Sequence, residues 1–535
     1  MRSRAITAAV VLSVALVSGG WFVERGLLAT AVGGPAGDRA RLFDEVFQRV
    51  ERDYVDTLAD STLYTRAVEG LIGEIHDPHS AYLSPELLAK LSERTSGRYA
   101  GIGAQIDARD NWIVIVAPLP GGPAEAAGIQ SGDRILDLNG KDVRGVTVDE
   151  AQRTLRGDPG SVVHLTIERP GVTAPLKFTL TRREIHVRSA QHAMMLQHGV
   201  GYVALAIFSE ESVTDLKRAI DSLRGAGMRT LVVDLRGDPG GLLDQGVAVA
   251  GLFLDPGQRI VSMRGRTSDA TRAFDNRSPQ PWPQLPVALL VDSNTASAAE
   301  IVAGALQDHD RAVVLGTTTY GKGSAQSLFP VANGGAVKLT TALWFTPSGR
   351  SINRKRAAAG DAASDTAALK PPPPRTYRTD AGRPVLGGGG ITPDVALAAV
   401  AVPTTDTVFE RVLGKQIPAF RDALTDYALS IKAAHAVTSP DFSVTPAMRA
   451  ELFRRMQARG ITVEARVYAD AAPLIDHLLG YEIAHYVFGD AVEFARRLHD
   501  DPAIASTLQF VSGTTTEQEL LRRTTVQPHA RPSAR

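Results

Sequence analysis

Cysteine is absent from the 535 residues, which excludes disulfide staples, thiol nucleophiles and cysteine-ligated metal centres. Excess charge is also lacking. The 58 Lys and Arg balance the 58 Asp and Glu, so no bulk field favours nucleic acid, and none is expected as a partner. Glu482-x-x-His485 occurs once, whereas a di-iron bundle needs that motif twice with two further glutamates. His76, Asp77 and His79 have no further ligand cluster nearby and read as a solvated turn between helices. Neither a metal nor another cofactor is therefore expected.

What is present suffices for several cores: 535 residues, 44 % of them apolar, imply about three or four domains. Met1-Arg-Ser-Arg4 precedes an apolar run over residues 5–23, the layout of a secretory signal with its arginines on the cytoplasmic side. That run nearly reaches the ~20 residues that span a bilayer. Residues 1–30 are expected to be a signal peptide or, by preference, an uncleaved anchor. The body would then lie in the cell envelope, on its periplasmic or extracellular face, tethered to the inner membrane.

Residues 38–95 read as an N-terminal helical region, with Leu42, Val46, Val50 and Tyr54 at helical spacing and Ala67, Leu71 and Ile75 repeating it. Residues 96–183 change to short β runs between glycine turns, with a tight turn at Asn139-Gly140. Thr147-x-x-Glu150 caps a helix whose apolar face is Val148, Ala151 and Leu155. This order, including Ser131-Gly-Asp-Arg-Ile-Leu-Asp-Leu-Asn-Gly140, resembles a circularly permuted PDZ domain of bacterial peptidases. The resemblance implies a groove beside Tyr99, Ala100, Gly101, Ile102 and Gly103 that receives a terminal carboxylate while the peptide adds a strand.

Residues 184–400 alternate strands and helices, as in a layered sheet with ligands at its strand ends. A flexible insertion, 354–378, contains Pro371-Pro-Pro-Pro374. Residues 401–535 read as a C-terminal helical domain, with homo-oligomer contact, substrate cage or adaptor docking as candidate roles.

Within 184–400 the apolar run Val287 to Val291 enters a small-residue turn before an apolar helix, so Ser297 stands at a strand-to-helix junction. Such a serine has unpaired backbone N–H groups and the positive end of the helix dipole beside it. Equally, Ser297-x-x-Glu300 has the form of a capping box. A histidine base is disfavoured: His309 stands about 18 Å down the helix, and His186, His192 and His198 fall in no recognisable strand-end loop. Gly316-Thr-Thr-Thr-Tyr-Gly-Lys-Gly323 copies a phosphate-binding loop except that Gly323 replaces the hydroxyl residue, and a strand rather than a helix follows. Lys322 is the remaining candidate base, the competing reading being an exposed loop lysine. Packed between glycines it can be desolvated towards a neutral amine, with Gln326 to orient it.

Thr295-Ala-Ser-Ala-Ala-Glu-Ile301, Tyr320-Gly-Lys-Gly-Ser-Ala-Gln326, Asp234-Leu-Arg-Gly-Asp-Pro-Gly-Gly241 and Thr346-Pro-Ser-Gly-Arg-Ser-Ile352, behind a PDZ domain and Asp77-Pro-His-Ser80, resemble the carboxyl-terminal processing (tail-specific) serine peptidases. The resemblance covers about residues 40–400. It implies a multidomain α/β chain: a crotonase/Clp-protease-like layered core with an inserted PDZ domain and flanking helical regions. It further implies a Ser/Lys dyad of Ser297 and Lys322 supported by Gln326. The oxyanion donors implied are Ala298 and either Gly240 or Gly241. Arg156 resembles an arginine that links the docked PDZ domain to the active site. The expected substrates are proteins with exposed apolar C-termini; the rival class is an inactive PDZ scaffold. Asp238 departs from the family, which commonly has Asn there, and puts a carboxylate near the oxyanion loop.

Overall fold

The computed structural model describes residues 35–354, 375–397 and 403–526. The expected signal or anchor and most of the expected insertion lie outside these residues. Among them no helix is long and apolar enough to cross a membrane.

The central sheet follows from runs that are apolar on both faces. Thr230–Asp234, Val287–Val291 and Val313–Gly316 are buried throughout, as strands covered on both sides must be. The strand order is Ala190–Met195, Val200–Leu205, Thr230–Asp234, Val287–Val291, Val313–Gly316, Val395–Ala396, parallel after the first pair. One face packs on the helices Ser212–Gly225, Leu243–Gly251 and Ala298–Asp308 through Leu216, Ile220, Val249 and Leu306. The other face packs on Leu498, Ile504, Val511 and Leu520 of the helices Asp490–His499, Pro502–Val511 and Glu517–Val526. The last helices of the chain therefore complete the layered core.

A second, antiparallel sheet runs Ala81–Leu83, Ala336–Phe345, Arg259–Gly265, Arg272–Asp275, with Ser324–Pro330 also paired to Ala336–Phe345. Its first strand comes from the N-terminal region. There the helix Pro35–Asp53 forms where the spacing predicts one, but its apolar stripe (Leu42, Val46, Val50) faces solvent, as does Tyr54 just past its end; Phe47 meets Tyr64 of Asp60–Gly73 at 4.2 Å between ring centroids.

The PDZ-like body hangs from a two-stranded ribbon, Arg98–Gly101 against Arg183–His186. The chain breaks between Arg98–Gly101 and the next strand because Gly103 has φ +70° and lies against Gly122. Beyond it the strands Ala104–Arg109, Trp112–Pro118, Arg134–Leu138, Val162–Glu168 and Leu176–Thr181 form one antiparallel sheet around Ile113, Ile115, Ile135, Leu165 and Ile167. The Asn139-Gly140 turn has positive φ at both residues (53° and 81°), as a tight hairpin requires. Thr147 and Glu150 exchange both bonds of their capping box, at 3.1 and 3.3 Å.

Helices between Thr404 and Phe488 build their own core around Phe420, Leu424, Leu452 and Ile475 and grip the PDZ-like body. Arg459 binds Asp110 through two 2.8 Å bonds, and Lys432 Nζ donates to the Ser131 carbonyl at 3.0 Å. His485 reaches the Val116 carbonyl with Nε2 and Glu493 with Nδ1, both at 2.8 Å. Two acceptors require two ring protons, hence the imidazolium. Burial opposes that charge, but Glu493 and the Val116 carbonyl outweigh it and raise the pKa. A raised histidine stabilises fully below its unfolded value of about 6.5, and the stabilisation is lost as pH climbs through the folded value. His485→Ala at about pH 6 is thus expected to cost roughly 1–2 kcal/mol at this contact, read as faster hydrogen exchange in Trp112–Pro118, with the deficit shrinking at alkaline pH. A deficit independent of pH would count against this assignment.

Candidate active site

Ser297 terminates the turn that leads from Val287–Val291 into the helix Ala298–Asp308, and it does so at φ 55°, ψ −116°. That conformation costs a non-glycine residue about 1–3 kcal/mol and persists only where its surroundings enforce it. Three sets of bonds enforce it here. Asp292 Oδ1 accepts the N–H groups of Gly237, Asn294 and Thr295 at 3.0, 2.9 and 2.9 Å. Thr295 Oγ1 donates to the Leu235 carbonyl at 2.8 Å, and the Ala296 N–H to the Asp238 carbonyl at 2.9 Å. Glu300, 0 % exposed, takes the Ser297 N–H at 2.9 Å.

Glu300 does more than cap. Its carboxylate also accepts the Thr319 hydroxyl and the N–H groups of Gly321 and Lys322, the latter two at 2.8 and 2.9 Å. One buried side chain thus ties the turn of Ser297 to the loop of Lys322. A further strut runs from the Tyr320 N–H to the Thr295 carbonyl at 3.0 Å. The glycines flanking Lys322 are used for close approach. A Cβ on Gly321 would lie 3.0 Å from the Gly390 nitrogen, and one on Gly323 would lie 2.9 Å from Asn353.

Ser297, Lys322, Gln326, Gly240 and Gly241 all line one cavity of about 1080 Å³. Lys322 is half-buried, and desolvation, with the positive charge of Lys338, holds its amine below the ordinary lysine value; Glu300 and Asp77 pull the other way. Gln326 Nε2 donates to Ser324 Oγ and Thr340 Oγ1 at 3.0 and 3.2 Å. Among the described residues no histidine stands in the cavity wall. His186 is paired with Asp215 (3.1 Å), His309 with Asp380 (2.7 Å), and His192 stacks on Phe494. The phosphate-loop alternative also fails, since the strand Ser324–Pro330 follows Gly323.

Gly240 backs directly onto the serine turn: a Cβ there would lie 2.7 Å from Ser297 Cβ and 2.8 Å from the Ala298 nitrogen. The Gly240 N–H is occupied by Asp238 Oδ1 at 2.7 Å. The N–H groups of Gly241 and Ala298 have no acceptor among the described residues. Leu243, Met263, Phe274, Ile301 and Trp344 give the same cavity an apolar wall.

One part of the site is not where the sequence reading put it. Asp77 and Ser80, expected in a solvated turn, line the cavity. Ser80 Oγ donates to Asp77 Oδ2 at 2.6 Å and accepts the Thr340 N–H at 3.1 Å, because the turn closes onto the sheet that bears Gln326. The one sequence signal for this was Asp77-Pro-His-Ser80 itself. Tyr99, Ala100 and Gly101 lie in the ribbon paired with Arg183–His186. Ile102 and Gly103 form the turn beyond it, and their N–H groups meet no acceptor among the described residues. Arg156 bonds Glu93 and stacks over the Tyr99 ring, 5.0 Å from its centroid. Glu93 belongs to the helix Pro85–Ser96, whose Leu91, Arg94 and Thr95 line the cavity.

A serine on a strained strand-to-helix turn, a desolvated lysine across the same cavity and a PDZ domain beside it define a serine-type peptidase. The comparisons agree. Peptidase family S41 matches residues 199–360, and the PDZ domain residues 91–168. The carboxy-terminal-processing protease of Bartonella bacilliformis is 38 % identical over 314 residues, which is 58 % of this chain and 71 % of that one. The carboxy-terminal processing protease CtpA of Bacillus subtilis is 36 % identical over 314 residues, 58 % and 66 % of the two chains. Among solved structures, the photosystem II D1 C-terminal processing protease aligns at 28 % identity and a TM-score of 0.35, covering 70 % of this chain and 96 % of that one. The chain belongs to peptidase family S41, the carboxy-terminal processing proteases.

Proposed function

We propose that the protein is an exported endopeptidase that recognises polypeptide C-termini through its PDZ domain and cleaves peptide bonds with Ser297 and Lys322. The observation that carries this reading is the convergence of Ser297, Lys322, Gln326 and the Gly240-Gly241 turn on one cavity that no histidine among the described residues lines. Neutral Lys322 takes the Ser297 proton as Oγ attacks the scissile carbonyl carbon. Gln326, whose Nε2 is spent on Ser324 and Thr340, offers Oε1 to orient the amine. The Ala298 and Gly241 N–H groups receive the oxyanion; of the two glycines, Gly241 is favoured because Gly240 is already bonded. Lys322 then passes its proton to the leaving amine, the C–N bond breaks, and an ester to Ser297 remains. Water opens that ester by giving a proton to Lys322, which passes it to Ser297 Oγ as the acyl C–O bond breaks, restoring the serine hydroxyl and the neutral amine.

In the PDZ domain the Ile102 and Gly103 N–H groups take the substrate carboxylate, and the peptide lies along the edge strand Ala104–Arg109. Arg156 and Glu93 connect that domain to the cavity wall. The arginines and apolar run of residues 1–23 support export.

Two substrates test the reading: an unfolded polypeptide with an apolar C-terminus, and the same chain amidated. The free carboxylate is expected to be degraded about 10- to 100-fold faster, since amidation removes a charge-assisted set of bonds worth a few kcal/mol. Equal rates would remove terminus recognition, and no cleavage of either substrate would remove the dyad.

A further inference from the structure

Asp238 has no part in the steps above, yet it sits under the oxyanion turn and is 0 % exposed. Its Oδ1 accepts the Gly240 N–H at 2.7 Å, its carbonyl accepts the Ala296 N–H at 2.9 Å, and its own N–H reaches the Leu235 carbonyl at 3.2 Å. The second oxygen, Oδ2, is buried without a hydrogen-bond partner among the described residues. Among the described residues no cation pairs with it. Arg236, two residues away, is bound to Asp234 and Asp501. Asp292 and Glu300, the acids of the adjoining serine turn, are occupied by N–H and O–H donors. Lys322 and Arg94 line the same cavity, and Arg94 acts on Asp238 through its field with no ion pair between them. An ionised carboxylate in this position loses its hydration and gains a single bond, whereas a protonated one avoids that penalty.

We propose that Asp238 is a positioning residue that works as an uncharged acid: Oδ1 pins Gly240 so that the Gly241 and Ala298 N–H groups face the oxyanion, and loss of its proton disables the site. Once ionised, the carboxylate places a negative charge beneath the donors that must stabilise a second one, and like charges in a water-poor site repel strongly. Burial pushes the Asp238 carboxyl up to about 8, against the Gly240 N–H and Arg94, which lower it.

The inference rests on the peptidase reading, so its test includes a measurement that needs no turnover. In wild type, kcat is expected to fall about tenfold per pH unit above roughly pH 8. Asp238→Asn, which keeps an acceptor for Gly240 and cannot ionise, is expected to lack that limb. Asp238→Ala, which cannot hold Gly240, lowers kcat at every pH more than it changes KM. A wild-type rate that simply levels off at high pH, as a lysine base alone dictates, would sink the idea, as would an alkaline limb that survives in Asp238→Asn.

Stability gives the second reading. A carboxyl raised by folding costs stability progressively from its unfolded value of about 3.9 up to its folded value and no further beyond. Asp238→Asn should therefore unfold at a higher temperature than wild type, by a margin that widens between about pH 4 and pH 8 and then holds constant. Should the Asn variant fail to fold, the protonated-carboxyl infrared band of Ser297→Ala decides: it should fade across about pH 7–9. A band already absent at about pH 6 refutes the uncharged acid. If no variant hydrolyses anything, the peptidase reading falls while these two measurements still settle the protonation state.

Discussion

Lys322→Arg is expected to lower hydrolysis by roughly 10⁴-fold or more, to the level of Ser297→Ala, with little change in the unfolding midpoint. Arginine retains the charge and most of the length of lysine, so binding that depends on a cation here would survive. It cannot be neutral at any working pH, and a cation cannot take the serine proton. The fold already depresses the lysine amine through burial and Lys338, whereas no comparable depression brings a guanidinium into range. Single-turnover rates on an unfolded polypeptide, measured beside thermal unfolding, separate loss of the base from loss of the fold. Retained turnover in Lys322→Arg would take the lysine out of the chemistry.

The second large effect is expected at a residue that never touches substrate. Glu300→Ala removes the acceptor for four donors, those of Thr319 and Gly321 buried and those of Ser297 and Lys322 part-buried. At about 1–3 kcal/mol for each stranded group, with partial relaxation, the cost is roughly 3–6 kcal/mol. Activity should go with it, because the same bonds hold the serine and lysine loops in register. Glu300→Gln is expected to fail almost as badly: its carboxamide nitrogen would face N–H groups that need an acceptor. A denaturant midpoint for Glu300→Ala close to wild type would show that the two loops are held by other means.

The site was legible in the sequence to the extent that its parts were local. The apolar strand before the small-residue turn placed Ser297 at a strand-to-helix junction, and two glycines marked Lys322 as a residue packed closely by backbone. The capping reading of Glu300 was also local, and it holds for the Ser297 N–H. Its bonds to Thr319, Gly321 and Lys322 could not be read, because nothing in a capping box says which loop will fold over it. Asp77 and Ser80 escaped for the same reason: their partner is Thr340 on a strand far along the chain. The C-terminal helices were predictable as helices. Periodicity declares that a face is buried but not what buries it, so neither the grip of Arg459 and Lys432 on the PDZ domain nor the cover given to the central sheet was foreseeable.

That cover bears on what the enzyme can do to itself. Leu520, on the last described helix, is buried in the cluster that also holds Val313 and Leu315; Glu517 faces Arg311 at 3.4 Å, and Thr230 Oγ1 donates to the Thr514 carbonyl at 2.9 Å. A carboxyl-terminal trimming activity that turned on its own chain and passed inward of Leu520 would strip the floor from the sheet that carries Ser297. Loss of the chain from Leu520 onward would expose Val313 and Leu315, and is expected to cost the sheet its cover and the enzyme its activity.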